Sequence, residues 1–150
     1  MNISYYIYNN EAISTAVLMS VITKLKRINV ALAPLVLPFL LDNRIVNHLL
    51  KDEANYENIE QFIQSKRLYF TSFNNRFLSL LPVTVNALMI LQKSNVINIT
   101  DTISIKKEFE FDVNELGLRF TKIENAIPKF VALIKDYSLS DLYIKFKIQL

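Results

Sequence analysis

Apolar residues recur every three or four positions along most of the chain, a spacing that predicts amphipathic helices. One series, from Ala12 to Ile28, is apolar nearly all the way round, so we expect this helix at the centre of the fold or of a complex. The clearest series follows a polar, turn-like segment at 52–58, and its members are Ile59, Phe62, Ile63, Phe70, Phe73, Phe77, Leu80 and Leu81. The pattern therefore predicts a mainly helical protein.

The four prolines mark expected starts and kinks of helices, because proline fits a first turn and disturbs a helix interior. Pro34 predicts a helix that is kinked at Pro38 or ends before it. Pro82 is expected to start a separate helix that runs to about Ser94. Pro128 lies in a further apolar series between Ile123 and Ile134, as a start or a kink.

Small polar residues at helix starts supply the expected caps. Asn9 or Asn10 is predicted to cap the first helix, after an aromatic and β-branched segment at 3–8 that is typical of extended chain. Asp42 or Asn43 can cap a helix that runs to about residue 51. Ser138, with an acidic residue three positions later, is a capping-box pattern for a last helix at about 139–146.

After the predicted helix at 82–94, the pattern changes to a period of two, which predicts strands. Ile97 and Ile99 alternate with polar residues, and a turn at 100–102 leads to a second strand with Ile103, Ile105, Phe109 and Phe111 on one face. Two helices followed by a hairpin are the order of a winged helix–turn–helix. We therefore predict a single compact domain over 1–150, mainly α with a small β-hairpin, with a winged-helix-like region at about 57–111 and flanking helices within 1–51 and 118–150.

The residue inventory excludes most classes of enzyme. The chain has no cysteine, its one histidine is His48, and its one glycine is Gly117. Thiolate chemistry, His-based metal sites, a Ser–His–Asp triad and Gly-rich phosphate loops therefore lack their residues. A carboxylate-dependent hydrolase stays a remote option. We expect no enzyme activity, no cofactor and no metal, and we expect His48 to be a surface or packing residue.

Hydrophobic residues make up 51% of the chain and the mean hydropathy is +0.23, so the apolar surface is large for one small core. The most apolar stretch, Val30 to Leu41, is too short to span a bilayer and contains two prolines. No basic segment precedes a hydrophobic one at the start of the sequence. We therefore expect a cytoplasmic protein, without membrane contact, whose extra apolar surface is covered by partners.

Basic residues form small clusters, and the net charge is only +3. Each cluster is either a solvated surface or a set of phosphate contacts, and the candidates for nucleic-acid contact are Lys24, Lys26, Arg27, Lys106 and Lys107. The predicted recognition helix, 82–94, carries Lys93 as its single charged side chain. Sequence-specific DNA binding is therefore the weaker interpretation, and such a helix suits a protein surface better.

Four segments carry a resemblance to a known family: YNNEAISTAVLMSVITKL, LAPLVLPFLLDNRIVNHLL, FLSLLPVTVNALMILQKSNVINI and DYSLSDLYIKFKIQL. Together they resemble the middle component of three-component ABC systems, prokaryotic conflict systems that include Lamassu anti-phage defence. Family members commonly have a proline after the Asn pair and a glycine in the last helix-to-tail step, where this chain has Glu11 and Lys145–Phe146. The resemblance implies a non-catalytic adaptor, without cofactor, that links an SMC/Rad50-like ATPase to an effector, expected to be a nuclease. DNA would then be contacted through the complex.

The most family-like residues lie near the two chain ends, and this places the expected partner contacts at Tyr8, Asn9, Asn10, Leu139, Leu142, Tyr143 and Phe146. The last four share one helix face, because they are spaced three or four apart. That face docks either on its own domain or on a partner. The alternative function is a stand-alone winged-helix transcriptional regulator that binds DNA.

Overall fold

The computed structural model describes the backbone of residues 3–108 and 113–150, and the side chains of residues 11–108 and 115–150. Its elements follow one another as α1 (Ile3–Leu25), β1 (Arg27–Asn29), α2 (Ala33–Leu40), α3 (Asn43–Leu49), α4 (Ile59–Ser65), α5 (Arg67–Phe70), α6 (Phe73–Lys93), β2 (Ile97–Ile99), β3 (Thr102–Ile105), α7 (Val113–Ile134) and α8 (Leu139–Lys145). The predicted fold class is confirmed: the protein is mainly helical and carries one small antiparallel sheet.

Helix α1 lies at the centre of the core, as its nearly continuous apolar surface predicts. Five of its residues, Ala16, Val17, Leu18, Val21 and Ile22, have no exposed surface. Helices α2, α6 and α7 pack around it, and α2 and α6 also pack against each other. Burying so many apolar side chains against one another is the main stabilising contribution to this fold.

The sheet has three strands in the order β1-β3-β2, and both pairs are antiparallel. Its inner face is isoleucine: Ile28 lies opposite Ile103, and Ile97 lies opposite Ile105. Strand β1 was predicted as the end of a helix that continued to residue 28. That prediction was wrong, because Lys26 adopts a left-handed backbone conformation (φ 66°) that ends α1 and turns the next residues onto β3.

This strand order is compatible with the predicted winged helix. In chain order the sheet takes one strand after α1 and two after α6. The sheet therefore draws on residues 27–29, outside the predicted region at 57–111. Phe109 and Phe111 of the predicted second strand lie outside the described residues, and β3 ends at Ile105.

Two predicted helix boundaries are wrong. Residues 3–8 are helical and not extended, so Asn9 and Asn10 lie inside α1 and cannot cap its start. The β-branched and aromatic composition of residues 3–8 gives only a weak local preference for a strand, and a long central helix overrides it. Pro82 lies inside α6 and does not start a new helix. A helix can contain an internal proline at the cost of a kink, and the exposed position of Pro82 leaves room for its ring.

The long phenylalanine series is divided among three helices. Lys66 leaves the helical region (φ −129°, ψ 51°) between α4 and α5, and Thr71 and Ser72 separate α5 from α6. The apolar residues of the series nevertheless stay buried or half-buried across both breaks. Apolar spacing therefore gave the buried face correctly and the helix length incorrectly.

Other predicted starts are confirmed. Pro34 lies in the first turn of α2, with Pro38 inside the same helix. An Asp42 carboxylate oxygen accepts hydrogen bonds from the Arg44 and Ile45 amides at 2.9 and 3.2 Å. The hydroxyl of Ser138 accepts one from the amide of Asp141 at 3.1 Å, at the start of α8.

Helix α7 bends at Gly117, whose φ of 80° and ψ of −173° belong to a region that glycine adopts far more readily than other residues. Beyond the bend, cationic side chains of α7 bind carbonyl groups at the ends of two other helices. Arg119 donates to the Leu41 carbonyl at 3.0 Å, and the Lys129 ammonium donates to the Leu49 carbonyl. Cations are stabilised at helix C-termini, so these contacts fix α7 against α2 and α3.

Within the described residues, no helix combines the length and the hydropathy needed to cross a bilayer.

Candidate protein-interaction surface

Helix α6 precedes the hairpin and is anchored by one face. Phe73, Phe77, Ala87, Leu88 and Leu91 are buried, mainly against α1 and α2. Because residues three, four and seven apart share a helix face, this anchoring leaves the opposite face of α6 outward.

The outward face carries apolar side chains in register. Leu78, Pro82, Val85 and Met89 follow the spacing i, i+4, i+7 and i+11, and we call these four residues the α6 stripe. Leu78, Val85 and Met89 are 48%, 48% and 46% exposed, and the neighbouring Ile90 is 45% exposed. A row of half-exposed apolar side chains on a fixed helix is typical of a surface that another protein covers.

The same face is poorly equipped to bind bases. Its long polar side chains are Asn75, Asn86, Gln92 and Lys93, of which only Lys93 is charged, and Lys93 lies at the last position of the helix. Base edges are recognised by Arg, Lys, Asn and Gln side chains projecting into the groove. The sequence predicted that this helix suits a protein surface, but it did not single out the stripe residues, because the helix is apolar on both faces.

The last helix packs against its own domain. Leu142 and Phe146 are 2% and 3% exposed, and the Phe146 ring stacks on Phe73 with centroids 4.4 Å apart. The Tyr143 hydroxyl donates to the Ala31 carbonyl at 2.7 Å, and burial raises the pKa of this tyrosine. Leu139 is half-buried. A partner cannot reach Leu142 or Phe146 while α8 stays docked. On the outer face of α8, Ile144 is 70% exposed.

At the other chain end, Tyr8, Asn9 and Asn10 lie within α1, and their side chains are outside the described part of the structure. Partner binding at the two chain ends stays a prediction.

The structure brings together the two sets of basic residues that the sequence left apart. Lys24 and Lys26 lie at the end of α1, where the Lys26 carbonyl accepts a hydrogen bond from the Ile105 amide at 3.2 Å. Lys106 and Lys107 follow β3 directly, and both amides donate to the Val96 carbonyl. We call Lys24, Lys26, Arg27, Lys106 and Lys107 the basic end of the sheet.

A partly buried ion network fixes the start of α3. One Asp42 oxygen lies 2.8 Å from Arg44 and 3.5 Å from Arg76. Burial would raise the pKa of Asp42, but the hydrogen bond from Arg44 and the charge of Arg76 outweigh it and hold the pKa below its usual range. Arg76 also donates to the carbonyls of Pro38 and Tyr69. The network therefore joins α2, α3, α5 and α6, and it is structural.

His48 is a packing residue, one of the two predicted options. Its ring stacks on Phe62 with centroids 5.7 Å apart, and Nε2 lies 2.7 Å from the Tyr56 hydroxyl. Burial lowers the pKa of His48, and the nearby charges of Lys66 and Lys51 lower it further. Among the described residues, no cluster of three or more His, Asp or Glu side chains could hold a metal ion.

We expect stability to fall as pH drops from neutral, because the folded chain disfavours the charged form of His48. The unfolded chain protonates this residue at its ordinary value of 6.5, so the loss begins near that pH and levels off below the folded pKa. Thermal unfolding at pH 7.5 and 5.5 measures the change. His48→Gln should reduce the difference in Tm between the two pH values, and an equal difference in both proteins would contradict this account.

The fold and this surface define a mainly helical domain with a small antiparallel sheet and an apolar outward helix face. The sequence profile of the family described as ABC-three component (ABC-3C) system Middle Component 3 matches residues 2–131, and the chain belongs to this family. The match includes α6 and the sheet and ends within α7, so α8 lies outside it. Comparison with curated proteins and with solved structures gives no match.

Proposed function

We propose that this protein is the non-catalytic adaptor of an ABC-three component system, in which it links an SMC/Rad50-like ABC ATPase to an effector nuclease. Family membership supports a middle component that works with other subunits. The anti-phage, Lamassu-type assignment rests on the sequence resemblance, and so does the cytoplasmic location. The α6 stripe is the observation that carries the adaptor role.

The stripe suits a subunit interface for two reasons. First, its side chains are held on a rigid helix whose inner face is anchored in the core, so little order has to be gained on binding. Second, its members are large, apolar and adjacent, which is the composition of an interface centre. The residue inventory also supports a non-catalytic role. The chain has one glycine and therefore no glycine-rich phosphate loop, and the nucleotide chemistry of the complex would lie on the ATPase.

Val85→Asp combined with Met89→Asp tests the stripe. Each change places a charge at the centre of the proposed contact, and loss of two central anchors should weaken binding to the partner subunit by at least about 100-fold. Both side chains are about half exposed, so the Tm should change by only a few degrees. Isothermal calorimetry measures the affinity, with the purified ATPase and the purified effector titrated in separate experiments.

Leu68→Asp combined with Leu118→Asp is the matched control, since these leucines are 77% and 72% exposed and lie outside the stripe. The control should bind like the wild type. Ile144→Asp tests the outer face of α8 in the same assay. Full affinity of the stripe variant, with loss only in Ile144→Asp, would move the interface to the chain end predicted from the sequence.

The alternative, a stand-alone winged-helix regulator, is supported by the compatible strand order β1-β3-β2. The outward face of α6 opposes it, because Lys93 is the one charged residue among the long polar side chains there. A regulator would distinguish its operator from unrelated DNA by at least about 1,000-fold. Selection from a random duplex library measures this, and enrichment of one motif would favour the regulator.

A further inference from the structure

We propose that the basic end of the sheet binds the phosphate backbone of double-stranded nucleic acid, independently of its sequence. This goes beyond the adaptor function, since it assigns a second surface, and it assigns that surface to nucleic acid and not to a protein subunit. Five of the 17 basic residues of the chain form this end, and Lys93 at the end of α6 adds a sixth.

The backbone holds these residues at one place. Strands β1 and β3 are antiparallel, with Arg27 opposite Ser104, so the start of β1 and the end of β3 lie at the same end of the sheet. Asn95 follows the end of α6, and its side chain accepts a hydrogen bond from the Lys106 ammonium at 3.0 Å, which joins the end of α6 to this end of the sheet. Residues from α1, β1, α6 and β3 therefore present their charges together.

Within the part of the chain that the structure describes, few carboxylates lie close to these cations. Among the described residues, Glu108 is the one carboxylate within ion-pair distance of them, 3.6 Å from the Lys26 ammonium. Both partners are largely exposed, at 69% and 78%, so the pair is weak and easily exchanged for a phosphate. The opposite end of the sheet carries Asp101, which disfavours phosphate there. The positive charge therefore lies where β2 begins and β3 ends, and not at the turn that joins these two strands.

The outer face of the sheet favours phosphate over an acidic protein segment. Arg27, Ser104 and Asn98 form a row across the three strands, and none of these side chains is buried. Hydroxyl, amide and guanidinium donors are the usual ligands of phosphate oxygens. A protein interface would need an apolar centre, and this row has none.

Binding should be strongly salt-dependent. With about four phosphate contacts, the affinity should fall by about 150-fold between about 50 and 200 mM salt. Two 30-base-pair duplexes of unrelated sequence should bind alike. Fluorescence anisotropy with the full chain and labelled duplex measures both. Absence of binding at about 50 mM salt, or strong preference for one duplex, would overturn the proposal.

Three variants locate the site. Lys106→Glu with Lys107→Glu should lower the affinity at least about ten-fold and flatten the salt slope by about 1.8, because two contacts are lost. Lys51→Glu with Lys135→Glu makes the same change in net charge at two exposed lysines outside this end, and should have less than about a three-fold effect. Glu108→Gln should strengthen binding, since it frees Lys26.

Equal losses in the two double variants would show that only net charge matters and would overturn the site. A poly-glutamate peptide that displaces duplex DNA at equal charge concentration would identify an acidic protein segment as the better ligand, which also overturns it. The binding of the partner subunit, measured as above, should be unchanged in Lys106→Glu with Lys107→Glu. Failure here and failure of the adaptor function are therefore distinguishable.

Discussion

Replacing Phe146 by alanine is expected to lower the free energy of unfolding by about 3–5 kcal/mol, the usual cost of removing a buried phenylalanine. Phe146 is 3% exposed and contacts three other rings: Phe73 at 4.4 Å, Phe70 at 6.2 Å and Phe39 at 6.3 Å between centroids. The substitution leaves a cavity among these rings and loosens α8. Thermal unfolding followed by circular dichroism should show a decrease in Tm of about 10 °C.

Tyr143→Phe is the matched control for this experiment. It keeps the ring and removes the hydrogen bond from the hydroxyl to the Ala31 carbonyl, so the loss should be only about 1 kcal/mol. An unchanged Tm in Phe146→Ala would mean that α8 is not docked in solution. Its apolar face would then be available to a partner, as the sequence alone allowed.

Asp42→Ala should also be strongly destabilising, by about 3–5 kcal/mol. The change removes the cap of α3 and leaves Arg76, whose side chain is only 20% exposed, without its carboxylate. Urea unfolding at neutral pH measures the loss as a lower transition midpoint.

Asp42→Asn separates the two contributions, because asparagine can still accept the amide hydrogen bonds of the cap but carries no charge. We expect it to be destabilised less than Asp42→Ala. If Asp42→Ala unfolds at the wild-type urea concentration, the ion network contributes nothing and Arg76 is adequately solvated.

Local patterns in the sequence were sufficient for much of the fold. The caps at Asp42 and Ser138 depend on two or three neighbouring residues, so a single sequence reveals them. The composition of α1 predicted a central position in the fold or in a complex, and the packing of α2, α6 and α7 around it places it in the core of the fold. Strand β1 could not be predicted in this way, since three residues form a strand only because β3 lies beside them.

The candidate surfaces show the same limit. The sequence indicated that α6 suits a protein surface, but only packing decides which of its two apolar faces is buried. The spacing of Leu139, Leu142, Tyr143 and Phe146 predicted a shared face and left open what that face packs against. In the structure, Phe146 stacks on Phe73 and Tyr143 contacts the ring of Phe77, so the face packs on the chain itself. Convergence of the basic residues depends on a strand pairing between residues 27 and 104, far apart in the sequence.

The central proposal, that this chain links an ATPase to an effector, is tested most directly by capture of the proposed effector on the tagged ATPase that is its proposed partner. The measurement compares the amount captured with this chain present, absent, or carrying Val85→Asp and Met89→Asp. We predict capture only with the wild-type chain and with the Leu68→Asp, Leu118→Asp control. Equal capture of the effector in the absence of this chain would contradict the adaptor account.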